Sequence, residues 1–548
     1  MAGQGYSLIS WDDFRGGLNY RTDQFDLQEN ESPDLLNVSV DPRGGVAMRE
    51  GVTTYNQTAL AANVKGIFSY YNDDGTNKVL VNSGVKVYAF DTTHAATAFT
   101  DIGTITNRTD GSRVYGLTIN NRAYGVSGDL VSFYYTGSAA ADLGTTLDGT
   151  TGNFPIAQYV THWNNLAWVG NTVESSVAYK NRVRFSNVNL PEQWSNLDYI
   201  DVGKGEGGDY VTGVVGHNDR LMIFKSNSTY ALFGFDGDSF QLVTVSETVG
   251  SVPLSSPVST PYGVFFWHDQ EGVYLYDGTN MTWLFERLKP AIDDGRFTFA
   301  NAPQLAWANN KLYVSLDYYN ADTNSTERRM CVYDPTTNAW VLWDVDAFAV
   351  HTHHTPNAKP VLYGATTGRS VVTDGSGTLA ANTGRVVSID SGGTPADRYF
   401  WNSEYFGTNI DSYFQSAWVK TKNPIVRKRW GQIRLIISAE ETGTLGVEVF
   451  HDYDTSEFAR DYSLQVTGRA GASSVWGTAT WQLATDESGS AGNGIWSAGT
   501  NQQVTDVAKL GTGGTAAAIC IKVTGPTLQQ ASWEVNGMAF PYKARRMR

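Results

Sequence analysis

The sequence predicts an all-β protein: a β-propeller, a C-terminal β-sandwich-like domain and an N-terminal extension. A polar turn built on Asn or Asp, followed at once by alternating apolar and aromatic residues, recurs along the chain. Glycine is abundant at 56 residues, and 24 Phe, 29 Tyr and 16 Trp supply rings to fill flat sheet faces between short strands. No amphipathic helical pattern runs uninterrupted beyond about three turns. At 548 residues the chain exceeds one ordinary core, which implies two or three domains.

Residues 1–50 form a leader. Ser32 is placed to cap a short helix with Pro33 at its first position, where a missing N–H costs nothing. Strand character resumes at Val38-Ser39-Val40. Asp41-Pro42-Arg43-Gly44-Gly45 then makes a turn, with Pro fixing one dihedral and Gly free to take positive φ. The leader reads either as an extension folded onto something larger or as a docking segment.

Residues 51–394 hold the repeats. Strong copies are Asn120-Asn121-Arg122-Ala123-Tyr124, Asn164-Asn165-Leu166-Ala167-Trp168, Asn218-Asp219-Arg220-Leu221-Met222 and Asn309-Asn310-Lys311-Leu312-Tyr313. Weaker copies surround Ser83, Glu271 and Lys359. With Ser83, Asn121, Asn165, Asp219, Glu271, Asn310 and Lys359 as markers, the steps are 38, 44, 54, 52, 39 and 49 residues, the size of a four-stranded propeller blade. Seven markers favour seven blades, and the uneven steps leave six open. A second phrase joins third to fourth strands, as in kelch-like blades: Tyr276-Asp277-Gly278 with Trp283, and Tyr333-Asp334-Pro335 with Trp340. In each, Asp caps a tight turn and Trp packs under the next strand.

Residues 395–548 change vocabulary. Long alternating strands (Gln432–Ser438, Thr444–Phe450, Ala516–Val523, Trp533–Phe540) with glycine-rich spacers read as a separate β-sandwich or jelly-roll-like platform.

A net charge of −15 argues against an outer surface that grips nucleic acid through its phosphates, though a wall past which DNA slides stays compatible. Cys331 and Cys520 are the only thiols, too few for a disulfide framework, and they suit a reducing compartment. The first residues lack the form of a signal peptide, and no apolar run approaches the length of a membrane span. These features predict a soluble protein made in the cytosol, with the Asn-x-Ser/Thr triplets at Asn107, Asn227 and Asn324 as chance products of an Asn-rich loop vocabulary.

Chemistry is sparse. His351, His353 and His354 crowd together, but strand alternation puts the first two on one face and the third on the other, so a polar blade edge is preferred over zinc. Asn72-Asp73-Asp74-Gly75-Thr76-Asn77 lacks the spaced acids of a calcium loop and reads as a hairpin turn. Gly203-Lys204-Gly205-Glu206-Gly207-Gly208 lacks the Lys-Ser/Thr of a phosphate cradle and reads as a loop. No Gly-x-Ser-x-Gly elbow occurs, and no marker picks a carboxylate pair. No catalytic, cofactor-binding or metal residue is assigned, and a non-enzymatic protein is expected. The densest positive charge, Lys420-Thr421-Lys422 with Arg427-Lys428-Arg429-Trp430, reads as a solvated rim, with contact to an acidic neighbouring subunit as the alternative.

The leader phrases Gly16-Gly17-Leu18-Asn19, Glu31-Ser32-Pro33-Asp34-Leu35-Leu36-Asn37-Val38, Asp41-Pro42-Arg43-Gly44-Gly45 and Arg49-Glu50-Gly51 resemble the opening of tail proteins from double-stranded DNA phages. In particular they are similar to the nozzle (tail tubular B, or tail hub) proteins of short-tailed phages, which also place a propeller after the leader. The match covers the leader closely and the remainder as architecture. It implies a structural virion protein assembled in the host bacterial cytoplasm, with six copies around the tail axis extending the DNA-ejection channel below the portal and adaptor. The implied partners are further copies of the chain, the tail adaptor, tail fibres or tailspikes, and viral DNA that passes between subunits without specific binding. No stable membrane insertion, catalytic residue or cofactor is implied. A receptor- or glycan-binding propeller at the tail tip and a propeller glycoside hydrolase are the alternatives from other classes.

Overall fold

Seven sheets arise from the repeat region, antiparallel but for one parallel pairing, Arg398 with Thr53, in the seventh. The computed structural model describes residues 6–56, 59–60, 62–91, 99–104, 113–128, 131–203, 208–355, 358–367, 373–374, 377–378, 383–390, 397–401, 404–421, 426–439, 443–466, 504–512, 514–526 and 532–544. The loop at Lys204–Gly207, Asn107, Asn357, Lys422, the glycine-rich spacer at 489–494 and residues 545–548 lie outside them. Contacts divide the chain into two units: Leu18–Asp23 with Glu50–Thr408, and Met1–Gly17 with Gln24–Arg49 and Asn409–Arg548.

In the first unit, blades 1 to 6 begin with the innermost strands Val64–Tyr71, Tyr115–Ile119, Ile156–Trp163, Val211–His217, Val258–Thr260 and Gln304–Ala308. Blades 1 to 5 are four-stranded meanders, and blade 6 has an extra short strand, Phe297–Thr298. Blade 7 starts at Val350–His353, continues through Val361–Thr367 and Thr383–Ile389, and takes its next strand, Thr53–Thr54, from ahead of blade 1. Each innermost strand lies against the next, and that of blade 7 lies against that of blade 1, so the ring closes with seven blades. The expected boundary at 394/395 precedes a hairpin, Asp397–Trp401 and Glu404–Thr408, that continues the seventh sheet.

The core consists of layers between adjacent sheets. Phe68, Tyr70 and Leu80 of blade 1 pack on Phe133 and Tyr135 of blade 2. Trp163 and Trp168 of blade 3 pack with Leu221 and Ile223 of blade 4, and Ile67 and Phe90 of blade 1 meet Tyr363 and Val386 of blade 7. Large rings suit this use because each fills a flat face-to-face gap with few rotatable bonds. Near the axis the sheets crowd: a Cβ on Gly66 would lie 2.6 Å from Val114 O, and one on Gly216 2.5 Å from His162 O.

The four strong copies of the repeated phrase all form the turn between first and second strands. Asn120 and Asn121 (φ 48° and 63°), Asn164 and Asn165 (53° and 59°), and Asn309 and Asn310 (51° and 59°) each place two residues in the left-handed region. Such paired turns match the twist of a hairpin, and Asn tolerates them better than other side chains with a Cβ. The same segment latches each blade to its neighbour's third-to-fourth connection. Asn120 Nδ2 donates to Asn189 O (3.0 Å), Asn164 Nδ2 to Gly234 O (3.3 Å) and Arg220 Nη1 to Gly278 O (2.9 Å). Two weak copies sit elsewhere: Ser83 and Glu271 belong to turns between second and third strands. The true first turns of those blades are at Asp74 and Tyr262, and with these markers the steps to Asn310 become 47, 44, 54, 43 and 48.

The second unit contains two main antiparallel sheets, as a sandwich requires. In one, Glu534–Ala544 pairs with Ile433–Ala439, Lys428–Trp430 and the leader strand Ser7–Trp11; in the other, Ile519–Thr524 lies between Gly443–His451 and Tyr413–Gln415, which carries the leader strand Asp34–Leu36. Alternation is clean where it decides the facing: Ile433, Leu435 and Ile437 are buried and Arg434 is exposed. The helix expected at Ser32-Pro33 is absent. Ser32 Oγ accepts from Asp34 N (3.3 Å), but no helix follows: it donates to Gln415 O (2.7 Å), and Leu35 and Leu36 pair with Phe414 and Tyr413. Long-range pairing with a buried apolar face outweighs one turn of local capping.

Candidate functional site: the axial cavity of the propeller

The innermost strands place side chains around the propeller axis, and a cavity of about 340 Å³ opens there. Blade 1 contributes Lys65, blade 2 Arg113 and Tyr115, blade 6 Gln304 and Trp307, and blade 7 His351 and His354. Leu254, at φ 62° in the connection from blade 4 to blade 5, is held there from three directions. Tyr115 Oη donates to its carbonyl (2.7 Å), Gln304 Nε2 donates to the same oxygen (2.7 Å), and its N–H donates to Tyr159 Oη (3.1 Å). Burial raises the pKa of both tyrosines, so each phenol stays neutral.

The histidine pair resolves into one hydrogen-bonded unit. His351 and His353 share a face of their strand, as alternation requires, and both reach Ser69 Oγ of blade 1, at 2.7 Å and 2.8 Å. A hydroxyl has one proton, so one ring nitrogen accepts it and the other donates to the oxygen. Desolvation pulls the pKa of His351 down to about 3 and that of His353 to about 4, with His353 and His354 lowering the first further and His354 the second. Both rings are therefore neutral at pH 7 and tie blade 7 to blade 1. Tyr71 stacks on His353 with centroids 5.2 Å apart. Among the described residues, no group of three His, Cys, Asp or Glu side chains converges as a metal site.

The other sequence candidates take structural places. Asn72–Asn77 is the hairpin turn between the first two strands of blade 1, with Gly75 at φ 88°, and Asp73 Oδ2 accepts from Asn121 Nδ2 of blade 2 (2.8 Å). In the kelch-like turns, Asp277 Oδ1 accepts from the amides of Thr279 and Asn280 (2.8 and 2.7 Å), and Trp340 Nε1 donates to Leu284 O (2.9 Å). The basic run departs from a solvated rim. Lys428 is buried, donates to Ala517 O (3.3 Å) and has its pKa lowered by desolvation, while Arg427 pairs with Asp452 and Lys420 donates to Phe25 O. Arg429 and Arg427 of that run are exposed among the described residues, so the rim reading holds for those two and fails for Lys428.

Sequence reasoning missed Lys65 and Arg113. The available signal was a cation at the start of an otherwise apolar innermost strand followed closely by glycine: Val64-Lys65-Gly66-Ile67 and Arg113-Val114-Tyr115-Gly116. Nothing local separates such a cation from an ordinary surface one until the ring fixes where the strand lies.

No family model matches the chain, and no curated protein matches it. Solved structures similar to it are propellers with low identity. BamB from Moraxella catarrhalis has 11% identity over 70% of this chain and 98% of that one, with a TM-score of 0.35. YCF48 bound to D1 peptide has 9% identity over 65% and 97%, with a TM-score of 0.35. The extracellular domain of a putative hybrid two component system from B. thetaiotaomicron has 11% identity over 62% of this chain and 40% of that one, with a TM-score of 0.37.

Proposed function

We propose that this chain is a structural subunit of a phage tail, a nozzle or hub protein that rings the tail axis and extends the DNA-ejection channel below portal and adaptor. The observation that supports this is the use made of the leader phrase. Asn37, at φ 53°, donates through Nδ2 to Asp411 O (2.7 Å) and accepts at Oδ1 from Arg49 Nε (2.8 Å), and Arg49 is only 2% exposed. Gly44, at φ 109°, passes so close to Asp12 O that a Cβ would lie 2.6 Å from it. The phrase thus builds most of the leader into the sandwich unit, Leu18–Asp23 grouping instead with the propeller, whose main sequence runs between Arg49 and Asn409 of that unit. Leader strands and strands from the end of the chain share its sheets, which suits a structural role. The charge of −15 suits a lumen that passes a polyanion without holding it, because acidic walls avoid the counterion-release affinity of a basic groove. The role is non-catalytic, with six copies, the adaptor and fibres or tailspikes as partners in the virion.

Cryo-electron microscopy of virions carrying this chain tests the reading. Six copies ringing the axis below the adaptor, with acidic and neutral polar side chains facing the lumen, are expected. A continuous Lys/Arg lining, or absence from the particle, would sink it. A second reading, a receptor- or glycan-binding propeller at the tail tip, is favoured by Leu197 and Phe235, each 78% exposed in third-to-fourth connections of blades 3 and 4. Density at a distal position, with glycan binding by the isolated chain, would move the assignment there.

A further inference from the structure

In a chain of net charge −15, the axial cavity is lined by two permanent cations and two histidines and by no carboxylate. Arg113 is 7% exposed, and its Nη1 is buried without a hydrogen-bond partner. Its one described side-chain contact of polar character is with a ring: the guanidinium lies 4.6 Å from the centroid of Phe348. Lys65 Nζ lies 4.6 Å and the Arg328 guanidinium 5.5 Å from the same centroid, so the ring's modest attraction is divided among three cations. Asp317, the carboxylate acting on Arg113, is already engaged. It accepts from Arg328 Nη1 at 2.9 Å and from Asn301 N at 2.7 Å.

The remaining polar lining is mostly committed as well. Gln304 and Tyr115 hold Leu254, Ser256 Oγ donates to Leu305 O (3.0 Å), and Ser259 Oγ meets His217 Nδ1 (2.8 Å). Thr352 Oγ1, also in the lining, is a second buried donor without a partner. A buried cation without a matched anion is strongly unfavourable, since desolvation is then repaid by nothing of opposite charge. Consistently, burial pushes the Arg113 pKa down to about 10, and the charge of Arg328 adds to that.

We propose that the axial cavity is a binding site for a small oxyanion, a carboxylate or phosphate group, seated on Arg113 with Lys65 beside it and Thr352 as an added donor. A guanidinium offers several N–H groups in one plane to such an anion, and the ion supplies the opposite charge that Arg113 Nη1 lacks. The volume of about 340 Å³ stands at the small end of ligand pockets, which fits a metabolite-sized molecule rather than a polymer. This inference rests on the propeller alone and is independent of the tail reading.

Calorimetric titration of the full chain with sodium citrate and with sodium phosphate, against sodium chloride at equal ionic strength, tests it. The expected result is saturable binding near one ion per chain for at least one of the two, with no such signal from chloride. Citrate alone identifies a carboxylate ligand and phosphate alone a phosphorylated one. Arg113→Gln should weaken that binding at least about tenfold, the loss of one charge-assisted contact, with far-UV circular dichroism unchanged. No binding of either anion by the wild-type chain overturns the proposal, as does wild-type affinity in Arg113→Gln. Should Arg113→Gln fail to fold, Lys65→Gln addresses the same cavity, where undiminished affinity is the overturning result.

Discussion

At the residue scale, the repeated asparagines earn their place through backbone conformation as much as through side-chain bonding. Asn165 holds φ at 59° beside Asn164 at 53°. A β-branched residue there meets the full left-handed penalty of about 1–2 kcal/mol, whereas glycine does not. Asn165→Val is therefore expected to lower the thermal unfolding midpoint of the propeller by several degrees, and Asn165→Gly to leave it nearly unchanged. Equal losses in the two variants would show that the side chain, not the backbone, is what matters. The buried histidines give a pH signature. Their folded pKa values lie below the ordinary 6.5, so the folded state disfavours the proton that the unfolded state accepts. The stabilisation is full above about pH 6.5 and is lost as pH falls from there towards 4. For His353, fully buried, the contribution is at most about 3 kcal/mol. His353→Asn, which keeps a donor for Ser69, should flatten the fall in melting temperature between pH 7 and 4.5 relative to the wild type. Parallel profiles would rule the ring out as a source of the acid sensitivity.

At the element scale, the weight falls on segments that join strands from distant parts of the chain. In blade 3, Glu174 accepts from Arg184 Nε (2.6 Å) and from Arg182 Nη1 (3.1 Å), and both arginines are buried. Glu174→Ala would leave two buried cations short of a carboxylate, Arg182 keeping Asp201 (2.8 Å) and Arg184 keeping the Ser195 carbonyl (2.9 Å). The expected cost is about 3–5 kcal/mol, read as an earlier urea midpoint; a loss below about 1 kcal/mol would mean that solvent already screens the cluster. This scale also separates what the sequence could disclose from what it could not. Blade size, the first-turn phrase and the capped Asp turns were legible because each is local: Asn-Asn at positive φ and Asp two residues before a free amide leave their mark within five residues. Ser83 and Glu271 misled because a polar turn before an apolar alternation is common to second as well as first turns. The Ser32 cap failed for the opposite reason, as its partner, Gln415, lies in another part of the chain. Arg113 and Lys65 were hidden likewise: their meaning comes from facing one axis across the ring, which no spacing along the chain records.

At the scale of the whole molecule, the propeller is a ring whose closure depends on two residues of strand taken from ahead of the first blade. Thr53 and Thr54 pair with Ser388 and Val387, and Asn56 completes the fastening. Its Nδ2 donates to Gly384 O (3.0 Å), its Oδ1 accepts from Val386 N (2.8 Å), and Arg385 Nη1 donates to its carbonyl (2.6 Å). Asn56 is 1% exposed, so Asn56→Ala leaves the buried Val386 amide without its acceptor, while Gly384 O keeps Leu60 N (2.9 Å), costing about 1–3 kcal/mol. A loss confined to one blade would be an ordinary local defect. In a closed ring, blade 7 is held on one side by this strand and on the other by blade 1, through Tyr363 packing on Phe90 at 5.4 Å and the His351–Ser69 bond. Loosening the fastener should therefore reach the rest of blade 7 and, through it, blade 1. Hydrogen exchange is expected to accelerate in Val361–Thr367 and in Val64–Tyr71 together, while Ile433–Ala439 of the other unit keeps its wild-type protection. Faster exchange limited to the few residues around Asn56 would mean that the seventh blade is secured without its borrowed strand, and that the ring is a row of blades in contact rather than a cooperative closure.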